Sequence, residues 1–304
     1  MNSEACYQFD AYLIVDWSAN NKPKRGKDSI WYCLLERLNG KTRFTRIENP
    51  STRMIAFEQI RGHLVDLAAR RRATLLGFDF PYGYPRGFAR ALNITSVQPW
   101  RHIWDLLHSW VVDDARNRSN RFEVAARLNA SIGDQPFPFW GCPASQERPN
   151  LKASHTVRHG ADGLPEFRVT EKRTHGPQPV WKLCYSGSVG SQTLVGIPYL
   201  ARLRSDPQLK SCSRVWPFET GFRLATRDER DWTVLHAEIY PSLNSPNSKQ
   251  QECKDEAQVR GVAEYFASRD EVGNLGGLFA TPQGISNQEL LQIQAEEGWI
   301  LGVA

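Results

Sequence analysis

No stretch of this chain approaches the roughly 18 apolar residues of a membrane-spanning helix, and the opening MNSEACYQFD lacks the charged-then-apolar order of a secretory signal. Membrane insertion and secretion are therefore not expected, and a cytoplasmic protein is. Cysteine is sparse: the six residues, at 6, 33, 142, 184, 212 and 253, form no C-x-x-C pair and no pattern with the seven histidines that suits zinc. None has a base recognisably beside it, which argues against a thiol nucleophile. Also absent are internal repeats, low-complexity tracts, a G-K-[ST] phosphate loop and a G-x-G-x-x-G dinucleotide fingerprint.

What is present describes a folded globular protein. With 304 residues, 40% hydrophobic and 23% charged, the chain is long enough for one large domain or a domain with a sizeable insertion, and ten tryptophans argue against disorder. The net charge of +5 is compatible with a polyanionic partner without requiring one. Two basic clusters, Lys22, Lys24, Arg25 and Lys27 in one loop and Arg70, Arg71 and Arg72 at one helix end, read first as solvated faces, with polyanion contact as the alternative.

Residues 11–18, 29–37 and 42–48 read as three strands of an antiparallel meander, with turns near Gly26 and Gly40. Phe57, Ile60, Leu64, Leu67 and Ala68 recur at helical spacing, and TLLGFDFP at 74–81 reads as a buried strand parallel to the first. Residues 86–229 are irregular and mainly helical, with one helix marked by Trp100, Ile103, Trp104, Leu107 and Trp110 and a shorter one near 121–130. The regular pattern returns with the strand TVLHAEIYPS at 233–242 and a helix striped by Val259, Val262, Ala263 and Phe266. A last helix opens at Ser286, with Glu289 completing a capping box and Leu290, Leu291 and Ile293 as its buried side. The expected fold is α/β, a ribonuclease H-like mixed sheet with helices on both faces, its core at about 10–85 and 230–304 and a mainly helical insertion at about 86–229.

Three of these strands end on an acid: Asp16 after YLIV, Asp79 after LLGF and Glu238 after TVLHA. A fourth, Asp255, stands four residues before Val259 and so shares the helix face that packs toward the sheet. An acid just past a strand also serves as a turn former or helix cap. Four gathered at one site would raise one another's pKa unless a hard divalent cation neutralised them, and Mg²⁺ or Mn²⁺ suits such an oxygen-rich set. A pair of such ions about 4 Å apart promotes phosphodiester hydrolysis.

VDWSA, GFDFPYGYP, AEIYPS and KDEAQVRGVAEYF resemble the successive motifs of domain of unknown function family 429, over residues 11–268. The resemblance implies a ribonuclease H-like nuclease with Asp16, Asp79, Glu238 and Asp255 as catalytic, metal-binding acids. One departure stands out: related folds often carry D-x-x-D on the last helix, but Asp255 is followed by Gln258, which brings no charge.

Ser18, Lys22, Tyr82, Lys182, Ser188, Gln192 and Tyr240 are the expected substrate contacts, for nucleic acid or another phosphoester. YSGSVGSQTL at 185–194 opens a helix, as phosphate-holding loops do and as plain tight turns do. EFRVTEKR reads as a charge-protected edge strand, with a charged strand lining the cleft as the alternative, and His236 as a partner of Glu238 or a core residue. Two rivals share the same first motif. Actin-like ATPases and sugar kinases place an acid before small hydroxyl residues, as in Asp16-Trp17-Ser18-Ala19, but Trp17 stands where a phosphate turn wants glycine. A degenerate module binding nucleic acid or protein without cutting it would accommodate Gln258.

Overall fold

The structure is a computed structural model that describes residues 7–38, 41–160, 163–176, 178–185, 188–244 and 253–304. Cys6, the turn at Gly40, and Ser186 and Gly187 of the glycine-rich loop lie outside them. Strands β1 (Ala11–Asp16), β2 (Trp31–Leu38), β3 (Lys41–Glu48), β4 (Thr74–Phe78), β5 (Ser213–Val215) and β6 (Val234–Glu238) form one mixed sheet in the order β3-β2-β1-β4-β6-β5. β1 runs antiparallel to β2 and parallel to β4, and β6 is parallel to both β4 and β5. This is an α/β mixed sheet consistent with a ribonuclease H-like fold. β1, β4 and β6 are continuous apolar runs because helices cover both faces of the sheet. β3, at the edge, is half-exposed and carries Lys41, Arg43, Arg46 and Glu48, which discourage edge pairing with another chain.

On one face lie α1 (Arg53–Ala69), capped by the Thr52 hydroxyl, and the helices of the insertion: α2 (Phe88–Ala91), α3 (Pro99–Trp110), α4 (Arg121–Ile132), α5 (Val169–Lys172) and α6 (Gly190–Ser205). Ala56, Phe57, Ile60, Leu64 and Leu67 of α1 share one core with Trp100 and Trp104 of α3 and Leu194 and Ile197 of α6. After α7 (Pro241–Asn244), α8 (Lys254–Glu271) covers the other face with Val259, Val262, Ala263 and Phe266. Among the described residues no helix is long and apolar enough to cross a membrane.

Several expectations are corrected. The insertion returns a strand, β5, to the sheet edge; three residues are too few to show a period. Residues 169–172 form one helical turn instead of an edge strand, because the Arg168 N–H donates to Glu171 Oε2 at 2.9 Å and the Arg168 guanidinium turns inward. The Ser286–Glu289 capping box forms ahead of α9 (Asn287–Gln292), but Leu291 is 67% exposed, since the helix is short and passes into a π turn at 293–297. That turn brings two consecutive glutamates inward. Glu296 accepts from the Gly87 and Ala89 N–H groups, and Glu297 from those of Arg86 and Val169.

The backbone of the π turn lies so close to the loop after β4 that a Cβ on Gly83 would fall 2.2 Å from the Glu296 carbonyl oxygen and 2.5 Å from that of Glu297. Both obstacles are main chain and cannot rotate aside. Gly83→Ala is therefore expected to cost at least about 1–3 kcal/mol, checked by urea unfolding.

Candidate functional site

Register decides which acids meet. Val15 pairs with Phe78, and Phe78 with Glu238, so these three side chains leave the sheet on the α1 face. Asp16 and Asp79, each one residue later, point to the α8 face. Gly77 confirms the parity: a Cβ there would lie 2.7 Å from Ile239 and 3.2 Å from Ile14, both in the α8-side core. Asp255, in the first turn of α8, comes down on the same side. Asp16, Asp79 and Asp255 line one pocket of about 690 Å³.

Each acid is held by main chain or by its neighbour. Asp79 Oδ1 accepts from the Trp17 N–H at 2.7 Å, and Asp255 Oδ2 from the Asp28 N–H at 2.6 Å. The Asp16 and Asp79 carboxyls lie side by side on the pocket wall. Burial, with Asp79 and Asp255 alongside, pushes Asp16 well above the usual carboxylate range. Burial pushes Asp79 up to about 7, against the pull of the Trp17 N–H and the Asp16 carboxyl. Among the described residues no three His, Cys, Asp or Glu side chains already stand in the arrangement of a metal-holding group. The donor set is nonetheless hard oxygen throughout, with Gln258 and Ser18 on the same wall.

The loop after β1 is tightly fixed. The Trp17 ring is buried edge-on against Phe78 and Tyr199, while its carbonyl accepts from Gln192 Nε2 at 2.5 Å. Buried Arg53 donates to the Ser18 and Asn20 carbonyls at 3.0 and 2.8 Å and is held by Asp113. With the Trp17 N–H committed to Asp79, that amide does not face a nucleotide phosphate.

No family model, curated protein or solved structure matches this chain. The resemblance to family 429 therefore rests on the four motifs alone, and the chemistry must be read from the pocket.

Glu238 is not part of that pocket. On the opposite face it is 2% exposed and meets Arg168, whose Nη2 and Nη1 donate to its two oxygens at 2.5 and 2.7 Å; its Oε2 also accepts the Tyr82 N–H at 2.9 Å. Arg168 binds Glu171 and the Glu297 carbonyl as well. Burial alone would lower the guanidinium pKa, and the two carboxylates more than offset it. His236 on the same strand face is a core residue, its Nε2 2.6 Å from the Ser213 hydroxyl.

Of the expected substrate contacts, Ser18, Ser188, Gln192 and Tyr240 line the acid pocket. Tyr82 does not: its ring is buried between Phe80 and Trp104, and its hydroxyl faces the Phe78 N–H. Lys22 is not among the residues lining the pocket, and Lys182 lies with its ammonium 5.9 Å from the Trp140 ring centre. The glycine of the 185–194 loop serves close packing. A Cβ on Gly190 would fall 2.3 Å from the Val180 carbonyl oxygen, and its N–H is spent on the Lys182 carbonyl.

Three lining residues escaped the sequence reading. Arg121, its guanidinium pKa lowered to about 10 by burial and then by Arg53, still carries its charge at neutral pH; it donates to Ser191, Asn21 and Ser119 and brings a cation to the acids. Lys254 adjoins Asp255, and Tyr185 stands 59% exposed at the pocket. Arg121 opens a helix deep in the insertion, and nothing local in NRSNRFE distinguishes it from a surface arginine.

Proposed function

We propose that the protein is a Mg²⁺- or Mn²⁺-dependent phosphodiester hydrolase, with nucleic acid as its substrate class and Asp16, Asp79 and Asp255 as the residues that would hold the cation. One observation carries this: three carboxylates from three separate elements converge on one pocket, where burial raises the pKa of Asp16 and Asp79, an arrangement that a hard cation would relieve. A bound divalent ion would supply a water activated near neutral pH and neutralise charge on a phosphoryl oxygen.

The chain's own groups have separable tasks. The Trp17 and Asp28 N–H groups hold Asp79 and Asp255 in fixed orientations, and a proton held by the raised Asp16 carboxyl would leave when the site fills. Arg121 and Lys254 face the phosphate oxygens, and Tyr185 offers a ring on which a base can stack. Glu238 takes no ligand role; locked by Arg168, it fixes the loop after β4 through the Tyr82 N–H.

A binding module without cleavage is the second reading, favoured by Gln258 and by the engagement of Asp255 with the Asp28 N–H. One experiment separates the two. Mn²⁺ at tenfold excess over its Kd is expected to stabilise the wild type by about 1.4 kcal/mol in thermal unfolding. Asp16→Asn should lose this response, and with it metal-dependent cleavage of labelled oligonucleotides by about 100-fold or more. Salt-sensitive oligonucleotide binding that needs no metal and survives Asp16→Asn would overturn the hydrolase reading in favour of the module.

A further inference from the structure

A second cleft, of about 720 Å³, opens beside α2 and α5 and shares no lining residue with the acid pocket. Arg86, Arg90 and Lys172 face it, and among the described residues none of the three has a carboxylate within ion-pair distance. Against the three cations the wall carries two acids, Glu166 and Glu296, which leaves one positive charge in excess. Glu296 is 8% exposed and spent on the Gly87 and Ala89 N–H groups, at 2.8 and 2.6 Å. His159 bonds the Leu164 carbonyl and is kept neutral by burial, its pKa lowered to about 4. Glu166 is the remaining acid on the lining.

The cleft also has a flat apolar side. Phe167 is half-buried and, among the described residues, packs against no other ring, with Pro165 nearby on the wall. A volume in the range of small-molecule sites, with cations on one side and an unpartnered ring on the other, matches a ligand with an oxyanion joined to a planar body.

We infer that this cleft binds a small phosphorylated ring compound, a nucleoside monophosphate in size and character, with Arg86, Arg90 and Lys172 on the phosphate and Phe167 on the ring. The site is separate from the acid pocket and independent of metal. Adenosine monophosphate is the probe, titrated into the full chain in EDTA by calorimetry and thermal unfolding, with pyrophosphate and adenosine as its two halves.

The expected result is saturable binding tighter than that of either half. Arg86→Ala with Arg90→Ala should weaken it about tenfold or more, and these two exposed side chains can be removed without opening the core. Phe167→Ala should weaken adenosine monophosphate but leave pyrophosphate unchanged. Asp16→Asn should bind as the wild type does, which keeps this result separate from the fate of the hydrolase proposal. Absence of binding at millimolar probe, retention of full affinity in the double arginine variant, or loss of binding in Asp16→Asn would each overturn the inference.

Discussion

Replacing Arg168 with Met is expected to destabilise the protein by about 3–5 kcal/mol, measured by urea unfolding at neutral pH. The side chain is fully buried, and its guanidinium is the shared partner of Glu171 and Glu238 and a donor to the Glu297 carbonyl. Removing it leaves two carboxylates facing each other without a cation in a space closed to water. Part of the loss should return when Glu238→Gln is added, because the remaining group no longer has to be ionised, and the size of that return isolates the pair from its surroundings. The Tyr82 N–H hangs on the same carboxylate, so the loop carrying Asp79 loosens with it. A metal response that weakens in Arg168→Met at a temperature where the protein is still folded would show that the ion pair positions the acid pocket across the sheet.

That cross-sheet relation was hidden in the sequence for a definite reason. Asp16 and Asp79 were legible because each follows an unbroken apolar strand and starts a turn, and Asp255 because helical spacing ties it to Val259. Glu238 follows an equally apolar strand, VLHAE, and looks the same. Strands buried on both faces carry no alternation, so the letters do not say which way the terminal residue points. Only the pairing of Phe78 with Glu238 shows that it lies one residue out of phase with Asp79. Its partner Arg168 comes from a segment whose charges read as an exposed edge, and only the three-dimensional arrangement reveals that one of them is buried.

The layered fold itself was easier to read, since β1, α1, β4, β6 and α8 each carry a period or run suited to their burial. The insertion was legible in α3 and α4, where apolar spacing repeats, and opaque between α4 and α6. There the core is made by single large side chains such as Phe139 and Trp181, which pack on Tyr84 of the loop after β4 and Phe88 of α2. Such contacts leave no periodic trace, yet they are what fixes the wall of the site.

Asp79→Asn is expected to make the metal-free protein more stable at pH 8 and to remove part of its loss of stability between pH 5 and pH 8, Asp16 remaining raised by its burial. Burial raises the folded-state pKa of Asp79 from the ordinary carboxylate range near 4 to about 7, and Asp16 is raised beside it. A folded state that binds a proton more tightly than the unfolded chain is favoured while that proton is present, below the unfolded pKa. This stability is lost as pH rises through the folded value. The wild type without metal should therefore weaken as pH rises across this window, by about 1–3 kcal/mol once partial solvent access to the pocket is allowed for. Asparagine keeps the oxygen that accepts the Trp17 N–H and carries no charge, so the variant should give a flatter profile. Mn²⁺ reverses the order: it should restore the wild type at pH 8, where the carboxylates are free of protons, and do little for the variant. Thermal unfolding of both proteins at pH 5 and pH 8, with EDTA and with Mn²⁺, reads all four cases. A wild type whose metal-free stability stays level or rises across that range would mean that burial does not raise these two carboxyls, and the electrostatic basis for a cation at this site would go with it.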